Sequence, residues 1–153
     1  MTDYSALPFV DEQGTTVAAE PGHVRSALLS TLDRTFSQRG AAAYARAVGC
    51  HPRVAAGPRP LAVGSTVPGF AVTAAGPDEI VLEGRHNFSA YALVFRLDPC
   101  DAGRTRLRAE TWASFPGLTG GLYRLLVIGS RGHVLGTRRL LAAVRRRAEV
   151  GAG

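Results

Sequence analysis

Residues 79–115 read EIVLEGRHNFSAYALVFRLDPCDAGRTRLRAETWASF, and this stretch decides the fold class. Three of its segments alternate apolar and polar residues as β-strands do: Glu79–His86, Ala90–Leu97 and Arg104–Phe115. Short turn sequences separate the segments, and Cys100–Gly103, with its glycine near the end, is typical of a hairpin turn. The stretch therefore predicts a run of antiparallel strands.

Helical patterns lie on both sides of these strands. Upstream, apolar residues recur every three or four positions over Pro21–Phe36, and an alanine-rich helical segment follows over Ala41–Val48. Downstream, Thr119–Val150 is helical in character, and we expect one long helix there. Two further strands are expected at Thr15–Ala19 and Val67–Ala74. Helices that are segregated from antiparallel strands predict an α+β domain.

The length of 153 residues, 46% hydrophobic and 20% charged, suits one domain of ordinary size. We expect a single domain over residues 1–153, with irregular ends at 1–14 and 148–153. No apolar run is long enough to cross a membrane, and no basic start followed by an apolar stretch indicates a signal peptide, so a cytoplasmic protein is expected. Cys50 and Cys100 are too few for a disulfide framework and are expected to be reduced.

Arginine supplies all 18 basic residues, and the formal net charge is +6. Ten of the arginines lie from Arg104 onward, where Glu110 and Glu149 are the only acidic residues. Such an excess is typical either of a surface for nucleic acid or an anionic membrane, or of a solvated helix face near the negative end of the helix dipole. We favour the solvated face and expect no nucleic-acid partner.

The alternation assigns one inner and one outer face to the three strands. The inner residues are Ile80, Leu82, Gly84 and His86; then Tyr91, Leu93, Phe95 and Leu97; then Thr105, Leu107, Ala109, Thr111, Ala113 and Phe115. The outer charged residues are Glu83, Arg85, Arg96, Arg106, Arg108 and Glu110, which we interpret as an exposed cross-strand ladder and not as catalytic groups. On the last helix, one stripe runs through Leu122, Leu126, Gly129, His133, Gly136, Leu140 and Val144. The small and polar residues in the middle of the stripe indicate either a ligand pocket or close packing of helix on sheet.

Four segments resemble the SRPBCC superfamily, the START-like or helix-grip proteins. They are Thr16–Val24, Gly64–Phe70, Leu82–Leu93 and the run from Glu110 to His133, and the last two are similar to actinobacterial members. The polyketide cyclase/dehydrase and lipid-transport branch is the most similar, although the branch's Val-Trp helix start is Val24-Arg25 here. The resemblance implies a curved seven-stranded antiparallel sheet around a long C-terminal helix, two short helices after the first strand, and a deep pocket for a hydrophobic ligand. It carries over no catalytic residue.

Three polar residues on the inferred inner faces are the candidate catalytic groups: His86, Tyr91 and His133. An imidazole exchanges protons near neutral pH, and a tyrosine can donate a hydrogen bond to a carbonyl or enolate oxygen. A cyclase or dehydratase of polyketide-like substrates, a lyase or isomerase, would need these groups. The alternatives are a non-catalytic carrier of a lipid, isoprenoid or polyketide, and an electrostatic binder of nucleic acid or membrane through the arginine-rich end.

The expected ligand-binding residues are Leu82, Leu93, Phe95, Thr105, Leu107, Thr111, Phe115, Leu126, Gly129 and Arg131. We expect no cofactor and no metal, because no metal-ligand spacing occurs. The phosphate-loop and nucleophile-elbow patterns do not occur either. A monomer or homodimer that takes a hydrophobic small molecule is expected.

Overall fold

A computed structural model describes residues 3–47, 49–87, 89–125 and 131–151. Over these residues, six strands form one antiparallel sheet: β1 (Phe9–Val17), β2 (Thr66–Val67), β3 (Phe70–Ala75), β4 (Glu79–His86), β5 (Ser89–Pro99) and β6 (Thr105–Ser114). Their order across the sheet is β1-β6-β5-β4-β3-β2. The antiparallel sheet of the sequence prediction is confirmed, with six strands in the described part of the chain where seven were expected.

Four α-helices accompany the sheet in the described ranges: α1 (Pro21–Phe36), α2 (Arg39–Ala47), α3 (Gly117–Arg124) and α4 (Gly132–Gly151). Proline at the first turn starts α1, where a missing backbone N–H costs no helical hydrogen bond. Helices α1 and α4 pack on each other and on the sheet. The α+β class is therefore confirmed. No described helix has the length and apolarity that a membrane crossing requires.

The ends of the chain are more regular than expected. Strand β1 begins at Phe9, and α4 continues to Gly151, so residues 9–14 and 148–151 are not irregular. The polar stretch from Asp11 to Gly14 showed no clear strand pattern in the sequence. It forms a strand because its backbone pairs with β6 along its whole length, from Phe9↔Trp112 to Val17↔Thr105.

The expected single long helix after Phe115 is two helices in the described residues. Arg131, directly before α4, has φ 58°, in the left-handed region that a continuous α-helix excludes. A regular helix therefore does not continue through this residue, and α4 begins at Gly132. Leu126 and Gly129, which were expected on the inner stripe, lie outside the described residues.

The core fills one half of the space between the sheet and the two long helices. Phe95, Leu97 and Leu107 from the sheet pack with Leu28 of α1 and Val144 of α4 in one buried cluster. Each such side chain contributes roughly 1.5–3 kcal/mol to folding when it is fully buried. These are the inner-face residues that the alternation predicted, and they hold α4 against this half of the sheet.

The outer face of the sheet is partly covered by the N-terminal segment. The Arg96 guanidinium donates to Glu110 at 2.7 Å, to Glu79 and to the Tyr4 hydroxyl. Glu110 is only 7% exposed, so the charge ladder expected on the surface is partly buried. The ring of Tyr4 also packs edge-on against Trp112. Arg96 therefore joins Glu110, Glu79 and Tyr4 on the side of the sheet opposite the helices.

Candidate functional site

A cavity of about 470 Å³ occupies the other half of the space between sheet and helices. Its wall is mostly apolar and comes from every layer of the fold: Phe36, Ala41, Ala45, Phe70, Ala92, Leu93, Ala113, Phe115 and Leu140. Tyr44 of α2 and Gly136 of α4 also line it and are exposed, so the cavity reaches solvent on the helix side. The arrangement suits an apolar molecule that enters from the helix side.

The same alternation that builds the core also builds the cavity wall. Along β5, Leu97 and Phe95 lie in the core, and Leu93 and Tyr91 continue the same face into the cavity. On α4, Leu140 lies at the boundary, and the next turn towards the N-terminus presents Gly136 in place of a large side chain. The small residue leaves volume that the sheet does not fill.

One polar cluster lies at the end of the cavity formed by the β4–β5 hairpin. Ser89 is 6% exposed, and its hydroxyl is 3.1 Å from His86 Nε2. Burial lowers the pKa of His86 from its ordinary value, because desolvation disfavours the charged imidazolium. The His86 ring packs against that of Tyr91, with centroids 5.4 Å apart. This imidazole is therefore held in a form that can accept a proton at neutral pH.

The hydroxyl of Tyr91 is directed at the backbone. It donates to the Gly69 carbonyl oxygen at 2.7 Å, and the buried Cys50 sulfur is 3.6 Å from the same hydroxyl oxygen. The approach of Gly69 requires glycine at position 84 of β4, since a Cβ there would lie 2.0 Å from the Gly69 oxygen. Tyr91 thus fixes the β2–β3 turn against β4.

A second polar cluster lies where β1, β6 and α4 meet. His133 Nε2 is 2.8 Å from Asp11 Oδ2, and the two side chains are 14% and 23% exposed. Thr111, the cross-strand neighbour of Asp11, lines the cavity together with His133. Thr137, one turn further along α4, donates its hydroxyl to the His133 carbonyl oxygen at 2.8 Å. The cavity therefore has an imidazole at each of two separate polar clusters.

No family model matches the sequence, and the search of curated proteins finds no similar sequence. Solved structures do match over nearly the whole chain. A Thermus thermophilus protein is similar with a TM-score of 0.55 and 17% identity, over 95% of this chain and 100% of its own. A Chromobacterium violaceum protein is similar with a TM-score of 0.52 and 15% identity, over 93% of this chain and 99% of its own. A Polyketide_cyc-like protein of Corynebacterium glutamicum is similar with a TM-score of 0.50 and 15% identity, over 92% of this chain and 91% of its own. This chain has the helix-grip fold.

Six of the predicted site residues line the cavity of this helix-grip domain: His86, Tyr91, Leu93, Thr111, Phe115 and His133. Four others, Leu82, Phe95, Thr105 and Leu107, are fully buried in the other half of the domain and do not line it. Their half of the sheet is covered by α1 and α4, and the Thr105 hydroxyl donates to the Ala19 carbonyl oxygen at 2.8 Å. Arg131 is exposed at the bend before α4 and does not line the cavity either.

Asp11, Ser89 and Cys50 are among the polar residues at the site that the sequence did not indicate. Asp11, which contacts the lining residue His133, fell in a stretch expected to be irregular, Ser89 lay between two predicted strands, and Cys50 was expected only to be a reduced thiol. A signal for Asp11 exists in retrospect, because it lies six residues before Val17, and every second residue of a strand faces the same side. His23 and His51 are exposed.

Within the described ranges, no three His, Cys, Asp or Glu side chains come together as a metal site would require. Both cysteines are free thiols, Cys50 buried and Cys100 exposed. The described side chains of the cavity wall include groups that can form hydrogen bonds and transfer protons.

Proposed function

We propose that this protein binds an apolar small molecule in the cavity and acts on it by acid–base chemistry, as a cyclase or dehydratase of polyketide-like substrates would. The observation that carries the proposal is a largely apolar cavity of about 470 Å³ with His86 and His133 in its wall. Small-molecule sites have roughly this size and combine an apolar wall with a few polar groups.

Cyclisation and dehydration both require a proton to be removed from a carbon next to a carbonyl group and another to be delivered to an oxygen. Imidazole can perform both steps near neutral pH. The lowered pKa of His86 favours the neutral, proton-accepting ring. His133, held by the Asp11 carboxylate, supplies the second proton-transferring group. We assign Tyr91 to the cavity wall and not to proton transfer, because its hydroxyl donates to the Gly69 carbonyl oxygen.

The name of the Corynebacterium glutamicum neighbour, Polyketide_cyc-like, agrees with this class of substrate. The alternative is a carrier that uses the same cavity without turnover, for a lipid, isoprenoid or polyketide. The two hypotheses predict the same binding and differ in whether the bound molecule changes chemically.

The test is native mass spectrometry of the freshly purified protein, followed by extraction and identification of the bound molecule. We expect a polycyclic or ketide-like compound that incubation with the protein converts, with conversion lost in His86→Gln and His133→Gln while binding remains. A retained fatty acid or isoprenoid that no incubation changes would establish the carrier. Protein that carries nothing and takes up no apolar probe would contradict both hypotheses.

The arginine-rich end remains a second alternative. Several of its arginines make contacts within the chain: Arg138 with Gln13 at 2.9 Å, Arg145 with Glu149 at 3.1 Å, and Arg147 with Ser30. These contacts favour a structural role for the helix α4 surface. Binding to a DNA duplex or to anionic vesicles that weakens steeply with added salt would instead support an electrostatic function.

A further inference from the structure

The polar cluster at β1, β6 and α4 contains two buried oxygen atoms with unused hydrogen-bonding capacity. Asp11 Oδ1 and Thr111 Oγ1 have no hydrogen-bond partner among the residues that the structure describes. Nearly all buried polar atoms in folded proteins have a partner, and one without costs roughly 1–3 kcal/mol. Thr111 lines the cavity, and Asp11 lies opposite it on the neighbouring strand, so a molecule bound in the cavity is placed to complete this cluster.

The geometry of the backbone brings the two oxygens to one place. Asp11 and Thr111 are directly opposite each other in the pairing of β1 with β6. Opposite residues of antiparallel strands have Cβ atoms about 4.5–5.5 Å apart and point to the same face. A register shift between Phe9 and Asp11 precedes this pair, and such a bulge changes the direction in which a side chain points. Across from them, His133 of α4 contacts Asp11 and lines the cavity.

We propose that Asp11, Thr111 and His133 form a subsite that holds a hydroxyl group of the apolar ligand: an alcohol, a phenol or an enol. The inference rests on the proposed function, because it requires that a ligand occupies the cavity. It adds the chemical class of the ligand's polar end, which neither the sequence nor the fold indicates.

The hydrogen-bonding capacity of the three side chains selects this class. An ionised Asp11 only accepts hydrogen bonds, whereas the Thr111 hydroxyl both donates and accepts. A ligand hydroxyl can accept from Thr111 and donate its own hydrogen to the Asp11–His133 pair. A carbonyl or ether oxygen can only accept a hydrogen bond, so Asp11 Oδ1 would still receive none. A ligand carboxylate would place a second negative charge beside Asp11 and is therefore disfavoured.

The experiment compares three naphthalenes of similar size by isothermal titration calorimetry: 2-naphthol, 2-methoxynaphthalene and 2-naphthoate. We expect 2-naphthol to bind about 10- to 100-fold more tightly than 2-methoxynaphthalene, as the loss of a hydrogen bond to a carboxylate predicts. We expect 2-naphthoate to bind more weakly than either neutral compound.

Matched variants locate the preference. Thr111→Val and Asp11→Asn should reduce the preference for 2-naphthol over 2-methoxynaphthalene to less than about threefold. Thr73→Val is the control, because Thr73 lies on β3 and does not line the cavity. This control should keep the full preference.

The outcomes separate the subsite from the cavity. If 2-naphthol and 2-methoxynaphthalene bind the unaltered protein equally well, the subsite holds at most a water molecule and the inference is overturned, while the proposed binding function stands. If none of the three compounds binds, the proposed function fails and the inference fails with it. Both decisions use the unaltered protein, so they hold even if a variant does not fold.

Discussion

At position 84, the absence of a side chain determines how the β2–β3 turn approaches the sheet. A Cβ at Gly84 would lie 2.0 Å from the Gly69 carbonyl oxygen and 2.8 Å from the ring of Tyr91. The hydrogen bond from Tyr91 to Gly69 spans the same place. Because Gly84 has no Cβ, the β2–β3 turn can pack directly against β4 at this part of the cavity wall.

We predict that Gly84→Ala lowers the free energy of unfolding by about 2–3 kcal/mol, because a backbone oxygen must move to admit the methyl group. Chemical denaturation measures the change. The control is Gly76→Ala, where the nearest atom to a new Cβ is the Glu79 carbonyl oxygen at an ordinary 3.6 Å. A Gly84→Ala protein as stable as the control would show that Gly69 does not approach β4 as described.

The candidate site shows how far individual residues could be predicted from the sequence. His86 and His133 were found because strand alternation and helical spacing are local patterns. Asp11 could not be assigned to the site, because its contact with His133 joins residues 122 positions apart and depends on strand pairing. Leu82 and Phe95 were placed on the correct face but in the wrong half of the sheet. Alternation defines the face of a strand and says nothing about which half a helix covers.

At the scale of elements, local patterns predicted the strands better than the C-terminal helices. Strand β4 occupies Glu79–His86, the predicted range, since its alternation and flanking turns are both strong. The C-terminal helix is present, but its start was predicted too early, because helical spacing continues across the positive φ at Arg131. The spacing of apolar residues does not reveal that a single residue with positive φ interrupts the helix.

We predict opposite effects for two substitutions at this bend. Arg131→Gly should raise the free energy of unfolding by about 0.5 kcal/mol. Glycine adopts φ 58° without the cost of roughly 1–2 kcal/mol that other residues carry. Its greater freedom in the unfolded chain offsets part of this gain. Arg131→Val should lower it by about 1 kcal/mol or more, because a β-branched residue resists this conformation. Thermal denaturation compares the two. Equal stabilities would contradict the left-handed conformation at this position.

At the scale of the whole molecule, the same sheet and helices form a packed core in one half and a cavity in the other. The transition falls at Leu140, which belongs to the core and also lines the cavity. Gly136, one turn before it, is where a larger side chain would occupy the cavity. A Cβ at Gly136 would meet no atom within 4 Å, so the position tolerates a larger residue. We therefore expect a larger side chain at position 136 to occupy part of the cavity, and this expectation can be tested.

The most direct test of cavity binding is a fluorescence titration with the neutral apolar probe 1-aminoanthracene. We compare the unaltered protein with Gly136→Leu and with Gly22→Leu, a control on α1 where a new Cβ also meets nothing and which does not line the cavity. Both variants should fold, because leucine favours a helix over glycine. We predict binding to the unaltered protein and to Gly22→Leu with equal affinity, and binding at least about tenfold weaker to Gly136→Leu. Equal affinity for all three proteins, or no binding to any, would contradict the assignment of this cavity as the ligand site.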